Sequence, residues 1–422
     1  MSDQHGNNIE RSGIDRRTFL KACPALGAAL ALPAGLAHAA VPAGEPWCAT
    51  WGTAPAGPPP ASGTMSFSNQ TLRLIVHASI GGSRVRVRLS NEMGTTPLRI
   101  GAAHVGLRSS GANLVSGSGR DLRFGSKSGA VIPPGAALLS DPVSLELPAL
   151  ADVAVSIYLP GTVQATTIHD LALQTSYVSS AGNYAATAAL PVQRSIASWP
   201  FLTEVDVGGP GAAIVTLGDS LTDGVRSTGN ANRRWPDWLA RRLRNEALPG
   251  TLPVGVVNRG IAGNSLLSDY DDALLAGKDG LERFDRDVLA TAGARYLFVL
   301  FGINDIAYSS STSPIPADDI TVGYQQLINR ARARGMGVLG ATLPPWEGFV
   351  YYTPQREAVR QRVNDWIRNS GAYDAVVDIE AALRDPGRPA RVLPAYDSGD
   401  HLHPNDAGYE AMARAVPLDA IT

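Results

Sequence analysis

The chain has 422 residues, of which 44% are hydrophobic and 18% charged, and this composition excludes a disordered or fibrous protein. Its 36 basic and 38 acidic side chains nearly cancel, so no charge excess favours binding to nucleic acid or to an anionic membrane. A neutral or weakly charged substrate fits this balance best. At roughly 100 to 200 residues per domain, the length predicts two folded domains beside any targeting segment.

The first 39 residues are typical of an export signal. A twin-arginine-like motif, DRRTFLK, occupies positions 15–21, an apolar stretch follows over 22–36, and AHA at 37–39 offers a cleavage site. The apolar stretch contains two prolines and is shorter than the roughly 20 residues that span a bilayer, so no stable membrane anchor is expected. We predict a signal peptide over 1–39, read by the twin-arginine export machinery, and a periplasmic or secreted bacterial protein. An uncleaved tail is the alternative.

Residues 41–207 have the alternation and frequent turns of an N-terminal β-sandwich domain. Thr71 to His77 and Arg84 to Leu89 flank Gly81-Gly82, and the second run alternates charged and apolar residues, which predicts a hairpin with one solvent-facing side. Asp152 to Tyr158 repeats the pattern, and further short runs are separated by Gly, Pro and Ser. A jelly-roll-like sandwich fits this pattern of short strands and turns best.

From Gly208 to the end, short apolar runs alternate with longer helix-like stretches. The predicted strands are Ala212 to Leu217, Val254 to Asn258, Tyr296 to Phe301, Val338 to Thr342 and Ala375 to Asp378. The predicted helices are Trp235 to Ala247, Ile320 to Arg334, Arg356 to Asn369 and Asp406 to Ala415. This alternation predicts an α/β domain over 208–422, with a parallel sheet covered by helices and functional side chains at the carboxyl ends of the strands.

The segment Gly218 to Leu221, which contains Ser220, directly follows the first of these predicted strands. At the end of a buried strand its hydroxyl can project into the crevice above the sheet, although a Ser after a Gly is more often only a turn residue. The pattern G-x-S-x-G does not occur in the chain, which disfavours an α/β-hydrolase.

A serine hydroxyl needs a neighbouring base to become a nucleophile, and residues 208–422 contain two histidines, His401 and His403. Adjacent residues in a looped backbone tend to point apart, so Asp400 can turn toward His403 rather than toward His401. We therefore predict His403 as the base and Asp400 as the carboxylate that orients it. His401 is left open as a solvated loop residue or a substrate contact.

A divalent metal site is the alternative interpretation of this segment, because the two histidines have Asp397, Asp400 and Asp406 close by in the sequence. The other motifs of the domain weigh against it.

Two further strand ends carry donors for a developing oxyanion. Gly263 lies in NRGIAGN at 258–264, where its amide could approach a substrate closely, and Asn304 lies in GIND at 302–305 and could offer its side-chain amide. Taken singly, such a glycine is usually a turn and such an asparagine a cap.

Taken in order, the blocks GDSLTDG at 218–224, NRGIAGN, GIND and DHLH at 400–403 resemble the SGNH or GDSL-type hydrolases, from Ala212 to Val416. The resemblance implies a flavodoxin-like α/β fold, a carboxylic ester substrate cleaved through an acyl-serine, and no metal or other cofactor. It also implies that Ser220, Asp400 and His403 are catalytic and that Ser220, Gly263 and Asn304 form the oxyanion hole.

The upstream region resembles an esterase subgroup with an N-terminal β-domain, similar to bacterial enzymes associated with xylan breakdown. The matching segments are WGTAP at 51–55, SNE at 90–92 and YDSGDHLH at 396–403. This implies deacetylation of plant polysaccharide or hydrolysis of a small-molecule ester. The alternatives are an acyltransferase that uses the same acyl-serine and a non-catalytic carbohydrate-binding protein. The β-domain could bind glycans or wall the active site.

Overall fold

The computed structural model describes residues 45–57, 64–246, 250–269 and 276–421. Glu45–Thr422 make one compact unit. The predicted signal peptide, with its twin-arginine motif and cleavage site, lies outside the described residues, as does the predicted last residue of the helix ending at Ala247. No helix within the described ranges is both long and apolar enough to cross a membrane.

The first half of the unit consists of antiparallel strands. They are β1 (Trp47–Gly52), β2 (Ser66–His77), β3 (Gly82–Ser90), β4 (Leu98–Ile100), β5 (Ala102–Ser110), β6 (Asn113–Leu114), β7 (Arg120–Leu122), β8 (Ala130–Ile132), β9 (Ala137–Leu139), β10 (Val143–Leu147), β11 (Asp152–Gln164), β12 (Ile168–His169), β13 (Ser176–Ala181), β14 (Val192–Ile196), β15 (Trp199–Pro200) and β16 (Leu202–Gly208). We call this half the β part.

Two antiparallel sheets dominate the β part. One has the strand order β1-β16-β3-β10, with β9 also beside β3, and the other has the order β14-β13-β2-β11-β5-β6, with β7 also beside β5. Both sheets contribute to one hydrophobic core, to which β3 supplies Val85 and Val87 and β2 supplies Leu72 and Leu74. The region is therefore rich in antiparallel strands as predicted, and its jelly-roll-like connectivity stays a prediction.

The predicted hairpin between Thr71 to His77 and Arg84 to Leu89 is wrong. β2 pairs with β11 and β13, whereas β3 pairs with β10 and β16, so the two strands lie in different sheets. The connecting segment is held by tertiary contacts instead of a tight turn: the amide and hydroxyl of Ser79 both donate to the carbonyl of Thr50, at 2.9 and 2.6 Å. Alternation alone did not reveal which strand each run would pair with.

The second half of the unit, the α/β part, is built on a parallel sheet. Its strands are β17 (Ala212–Gly218), β18 (Val254–Gly260), β19 (Ala294–Leu300), β20 (Gly337–Ala341) and β21 (Ala375–Val377). Their order in the sheet is β18-β17-β19-β20-β21, which is the flavodoxin-like order. The five strands predicted for this region are therefore confirmed, each to within two residues at its ends. A short antiparallel pair, β22 (Arg384–Asp385) and β23 (Arg388–Val392), follows.

Seven α-helices accompany the sheet: α1 (Ser220–Asp223), α2 (Trp235–Glu246), α3 (Ile303–Tyr308), α4 (Ala317–Arg332), α5 (Pro354–Asn369), α6 (Ile379–Leu383) and α7 (Asp406–Arg414) within the described residues. A π-helical turn at Asp285–Leu289 and a 3-10 turn at Leu418–Ile421 complete the list. The four longer helices are those that the sequence predicts. The other three are too short to show a helical period in a hydrophobicity pattern, and each begins directly after a strand.

A buried polar contact ties the β part to the parallel sheet. The guanidinium of Arg259, on β18, forms an ion pair with Glu204 of β16, and both side chains are only 2% exposed. Arg259 also donates to the carbonyl of Thr203 at 3.0 Å. Because a buried charge without its partner costs several kcal/mol, separating the two parts would be strongly unfavourable.

The fully buried Arg283 ties the carboxyl ends of two parallel strands together. It donates to the carbonyl of Gly218 at the end of β17, at 2.9 Å, and to the carbonyl of Arg259 near the end of β18, at 2.8 Å. It also bonds Asn264 Oδ1 at 2.9 Å and Asp287 Oδ2 at 2.9 Å. One side chain therefore holds the segments that follow both strands in register.

We expect Arg283→Met to lower the free energy of unfolding by roughly 3 kcal/mol, because it leaves several buried acceptors without a donor while Arg286 still neutralises Asp287. Urea denaturation followed by circular dichroism measures this. Arg332→Met is the matched control, since Arg332 pairs with Asp374 on the surface and should cost less than about 1 kcal/mol. Equal losses in the two variants would contradict the structural role of Arg283.

Candidate active site

Ser220 is the first residue of α1, directly after β17. The carboxylate of Asp219 caps this short helix by accepting from the amide of Leu221 at 3.0 Å, and Ser220 itself is 5% exposed. The end of β18 packs tightly against the helix, because a Cβ on Gly260 would lie 2.2 Å from the amide nitrogen of Asp223. The serine hydroxyl therefore sits on a turn whose position is set by two strands.

The structure brings Ser220, His403 and Asp400 together, although Ser220 and His403 are 183 positions apart. His403 Nε2 lies 2.8 Å from Ser220 Oγ, and His403 Nδ1 lies 2.8 Å from Asp400 Oδ2. A carboxylate can only accept, so Nδ1 carries the hydrogen and Nε2 is left to take the proton of the serine hydroxyl. This is the tautomer that a serine nucleophile requires of its base.

Asp400 is held as a carboxylate by several hydrogen-bond donors. Its Oδ1 accepts from the backbone amides of Leu402 and His403, at 3.0 and 2.8 Å, while Oδ2 faces the imidazole. Burial raises the pKa of Asp400, but the hydrogen bonds and charge of His403 outweigh it and hold that pKa well below the ordinary value. The group therefore stays charged at neutral pH and can stabilise an imidazolium on His403.

His401 has a carboxylate partner of its own, Asp397. Its Nδ1 lies 2.6 Å from Asp397 Oδ2, and its backbone has a positive φ of 70°. This left-handed residue turns the chain between Asp400 and His403, so that the two side chains meet. Of the two roles left open for His401, neither is assigned by these contacts.

The carboxylates that the metal interpretation invoked have separate partners. Asp397 pairs with His401, Asp400 with His403, and Asp406 accepts from the Thr228 hydroxyl at 2.7 Å. Within the described ranges, the one set of His, Cys, Asp and Glu atoms close enough to share an ion is Asp269, Asp279 and Glu282, which contains neither histidine.

The two predicted oxyanion donors lie on neighbouring segments, Gly263 in the loop after β18 and Asn304 on α3. Gly263 follows β18 with a φ of 79°, a conformation that favours glycine, and Asn264 beside it accepts from Asn304 Nδ2 through its carbonyl, at 2.8 Å. Asn304 is 6% exposed on α3, directly after β19. That contact uses one of the two amide hydrogens of Asn304, so the other can serve a ligand.

The side chain of Asp223 connects α1 to the loop of Gly263, and the sequence did not predict this role. Asp223, at the end of α1, accepts from the amide of Ala262 at 2.9 Å and so holds the loop that contains Gly263. The residue lies inside the GDSLTDG block, but nothing in its spacing indicates which backbone amide it would reach.

Residues 216–411 match the sequence profile of the family described as "GDSL-like Lipase/Acylhydrolase family". They form a GDSL-like lipase/acylhydrolase domain. This domain marks the chain as a carboxylic ester hydrolase of the GDSL type. The matched region contains the serine, the histidine and the aspartate described above.

Solved structures similar to the GDSL-like domain cover about half of this chain. They include an acetyl xylan esterase from Geobacillus stearothermophilus, at 24% identity over 50% of this chain and 95% of that chain, with a TM-score of 0.38. A GDSL-like lipase from Bacteroides thetaiotaomicron has 18% identity over 50% and 87% of the two chains, with a TM-score of 0.36. A member of the lipolytic protein G-D-S-L family from Veillonella parvula has 17% identity over 49% and 96%, also with a TM-score of 0.36. No curated protein matches the chain.

We expect Asn304→Ala to lower kcat roughly 100- to 1000-fold, because one oxyanion donor contributes about that factor, while KM changes little. Steady-state hydrolysis of p-nitrophenyl acetate measures both constants. Asn91→Ala is the control, since Asn91 is a buried asparagine of the β part whose amide also donates to backbone carbonyls. A rise in KM at unchanged kcat would contradict the role of Asn304.

Asp219 is a buried carboxyl in the GDSL-like domain with one of its oxygens unbonded. Its Oδ1 caps α1, whereas Oδ2 is buried without a hydrogen-bond partner among the described atoms. Burial raises the pKa of Asp219 to about 7, and the charge of Asp305 adds to the rise. The folded protein therefore holds a proton here that the unfolded chain has already released above the ordinary pKa of 3.8.

Stability should consequently fall as pH rises from about 4 to about 7, since the folded state binds more protons than the unfolded state in that window. Asp219→Asn removes this linkage and keeps the oxygen that caps α1. We expect the variant to gain stability relative to the wild type as pH increases over this range, measured by urea denaturation at several pH values. A stability difference that stays constant with pH would contradict the assignment.

Proposed function

We propose that this protein is an exported serine esterase that cleaves carboxylic esters through an acyl-serine intermediate. The observation that carries the proposal is the continuous chain of hydrogen bonds from Ser220 Oγ through the His403 ring to Asp400, with both bonds at 2.8 Å. The predicted leader over 1–39 supports export to the periplasm or beyond, by way of the twin-arginine machinery.

In the first half-reaction, His403 Nε2 takes the proton of Ser220 as the hydroxyl oxygen attacks the ester carbonyl. The carbonyl oxygen becomes an oxyanion, which the amides of Ser220 and Gly263 and the side chain of Asn304 stabilise. The carbon–oxygen bond to the alcohol then breaks, and His403 gives its proton to the leaving alcohol. The products of this half are the free alcohol and the acyl-serine.

In the second half-reaction, water replaces the alcohol. His403 takes a proton from the water as its oxygen attacks the acyl carbonyl, and the same donors hold the second oxyanion. Collapse returns the proton to Ser220 Oγ and releases the carboxylic acid. Asp400 keeps its charge throughout and stabilises the imidazolium that forms in each half.

An apolar rim beside His403 supports an ester with a bulky alcohol. The ring of Phe349 meets the imidazole edge-on at 6.2 Å between centroids, and it packs against Tyr351 at 5.7 Å. Val350 and Tyr351, which follow Phe349 in the chain, are 80% and 42% exposed, so this segment presents apolar surface to solvent. Together with the resemblance of the upstream region to xylan-associated esterases, this rim favours acetylated polysaccharide as the substrate.

We expect Ser220→Ala to abolish hydrolysis of p-nitrophenyl acetate and labelling by a fluorophosphonate probe, because the nucleophile is gone, while circular dichroism and the unfolding midpoint stay close to the wild type. Turnover at the wild-type level in the variant would remove Ser220 from the mechanism.

Acetate release from acetylated xylan, with and without an added acceptor sugar, tests the substrate class and separates hydrolysis from acyl transfer.

A further inference from the structure

A histidine of the β part reaches the catalytic half of the molecule. His169, on β12, is 3% exposed, and its Nε2 lies 3.0 Å from Asp223 Oδ1. The other oxygen of Asp223 accepts from the amide of Ala262 at 2.9 Å, and Ala262 immediately precedes Gly263. A chain of two hydrogen bonds therefore runs from the β part through α1 to the loop that carries the proposed oxyanion donor.

We propose that His169 is a doubly protonated positioning residue, which fixes the oxyanion loop of the α/β part through Asp223. The inference rests on the proposed function, because it concerns the loop of Gly263. It assigns to the β part a direct role in the geometry of the site, beyond binding glycans or forming a wall.

The surroundings of the His169 ring require a hydrogen on both of its nitrogens. Nδ1 lies 2.8 Å from the carbonyl oxygen of Ala54, and Nε2 faces the carbonyl oxygen of Leu171 at 3.2 Å as well as the carboxylate of Asp223. Carbonyl and carboxylate oxygens only accept, so a neutral imidazole would leave one nitrogen facing acceptors without a hydrogen to give. The imidazolium satisfies both sides and neutralises the buried charge of Asp223.

The other charged groups near the His169 ring have carboxylate partners of their own, so they do not compete with His169 for Asp223. Arg234, which precedes α2, is paired with Asp237, and its guanidinium lies over Trp199, the ring that stacks on His169. His77, on β2, lines one cavity together with His169 and Asp223, and its ring is hydrogen-bonded to Asp152. Burial lowers the pKa of His169 and the charge of Arg234 adds to this, but the charge and hydrogen bond of Asp223 raise it above its ordinary value overall.

The position of Asp223 explains why the link should affect the reaction. Asp223 ends the helix that Ser220 begins, and its backbone packs directly on Gly260 at the end of β18. The amide of Gly263 lies one peptide unit beyond the amide of Ala262 that Asp223 holds. Oxyanion stabilisation depends on donors placed to within about 0.5 Å, so loosening this anchor should weaken the transition state more than the bound ester.

The test compares His169→Phe with His77→Phe in the full-length protein. The phenylalanine at 169 keeps the stack on Trp199 and removes the polar contacts of the ring. His77 is the matched control, because it is a histidine of the β part that is bonded to a different aspartate, Asp152. With p-nitrophenyl acetate we expect kcat of His169→Phe to fall up to roughly 100-fold at nearly constant KM, as for a displaced catalytic group. His77→Phe should keep the wild-type kcat.

Two further readouts separate positioning from stability. The wild-type kcat should decline at alkaline pH as His169 loses its second proton, and this limb should be missing in His169→Phe. In a double-mutant cycle with Asp223→Asn, the second substitution should add little to the loss from the first, because both act on the same link. Wild-type kcat in His169→Phe, equal losses in His169→Phe and His77→Phe, or additive losses in the cycle would each overturn the proposal.

Nitrogen-15 spectra of the wild-type protein give a result that does not depend on a variant folding. Protons on both ring nitrogens of His169 at neutral pH are expected, and a single protonated nitrogen would overturn the proposal. The proposed function is judged separately, by Ser220→Ala: an inactive Ser220→Ala beside a fully active His169→Phe refutes the role of His169 alone, whereas an active Ser220→Ala refutes the esterase mechanism itself.

Discussion

The candidate active site depends on one hydrogen bond, between Ser220 Oγ at the start of α1 and His403 Nε2 in the loop before α7. The serine is presented by the carboxyl end of β17, and the histidine is turned toward it by the left-handed backbone of His401. A serine hydroxyl without a neighbouring base is a poor nucleophile, so both segments are needed. The parallel sheet is the element that makes their meeting possible, because it gathers the ends of successive strands at one edge.

Buried polar contacts connect the elements that meet at that edge. Arg283 holds the segments after β17 and β18, and Arg259 reaches from β18 to Glu204 in the β part. His169 and Asp223 form another buried contact between the β part and the α/β part, at 3.0 Å. A buried pair contributes little net stability compared with apolar packing, but breaking one is costly, so such pairs hold neighbouring elements in one register. The β part is consequently joined to the catalytic half by polar contacts with defined geometry.

The hydrophobic pattern was informative wherever an element was long and its period clear. The five parallel strands and the helices α2, α4, α5 and α7 were predicted because burial imposes that pattern on the sequence. The short helices α1, α3 and α6 were missed, since four to six residues do not make a period. The predicted hairpin across Gly81-Gly82 was wrong for another reason. Alternation indicates which face of a strand is buried, but it does not indicate which strand lies beside it.

For the site, the sequence by itself determined the chemical groups: a serine after a strand, two histidines near the end of the chain, and a glycine and an asparagine at two further strand ends. It also determined which histidine could face Asp400, because that choice depends on local backbone spacing. Only the tertiary structure decided the distances, the pairing of His401 with Asp397, and the reach of His169 and Arg283 to backbone groups of other elements. Such contacts join positions far apart in the chain through single side chains, and a side chain that acts alone leaves no periodic signal in the sequence.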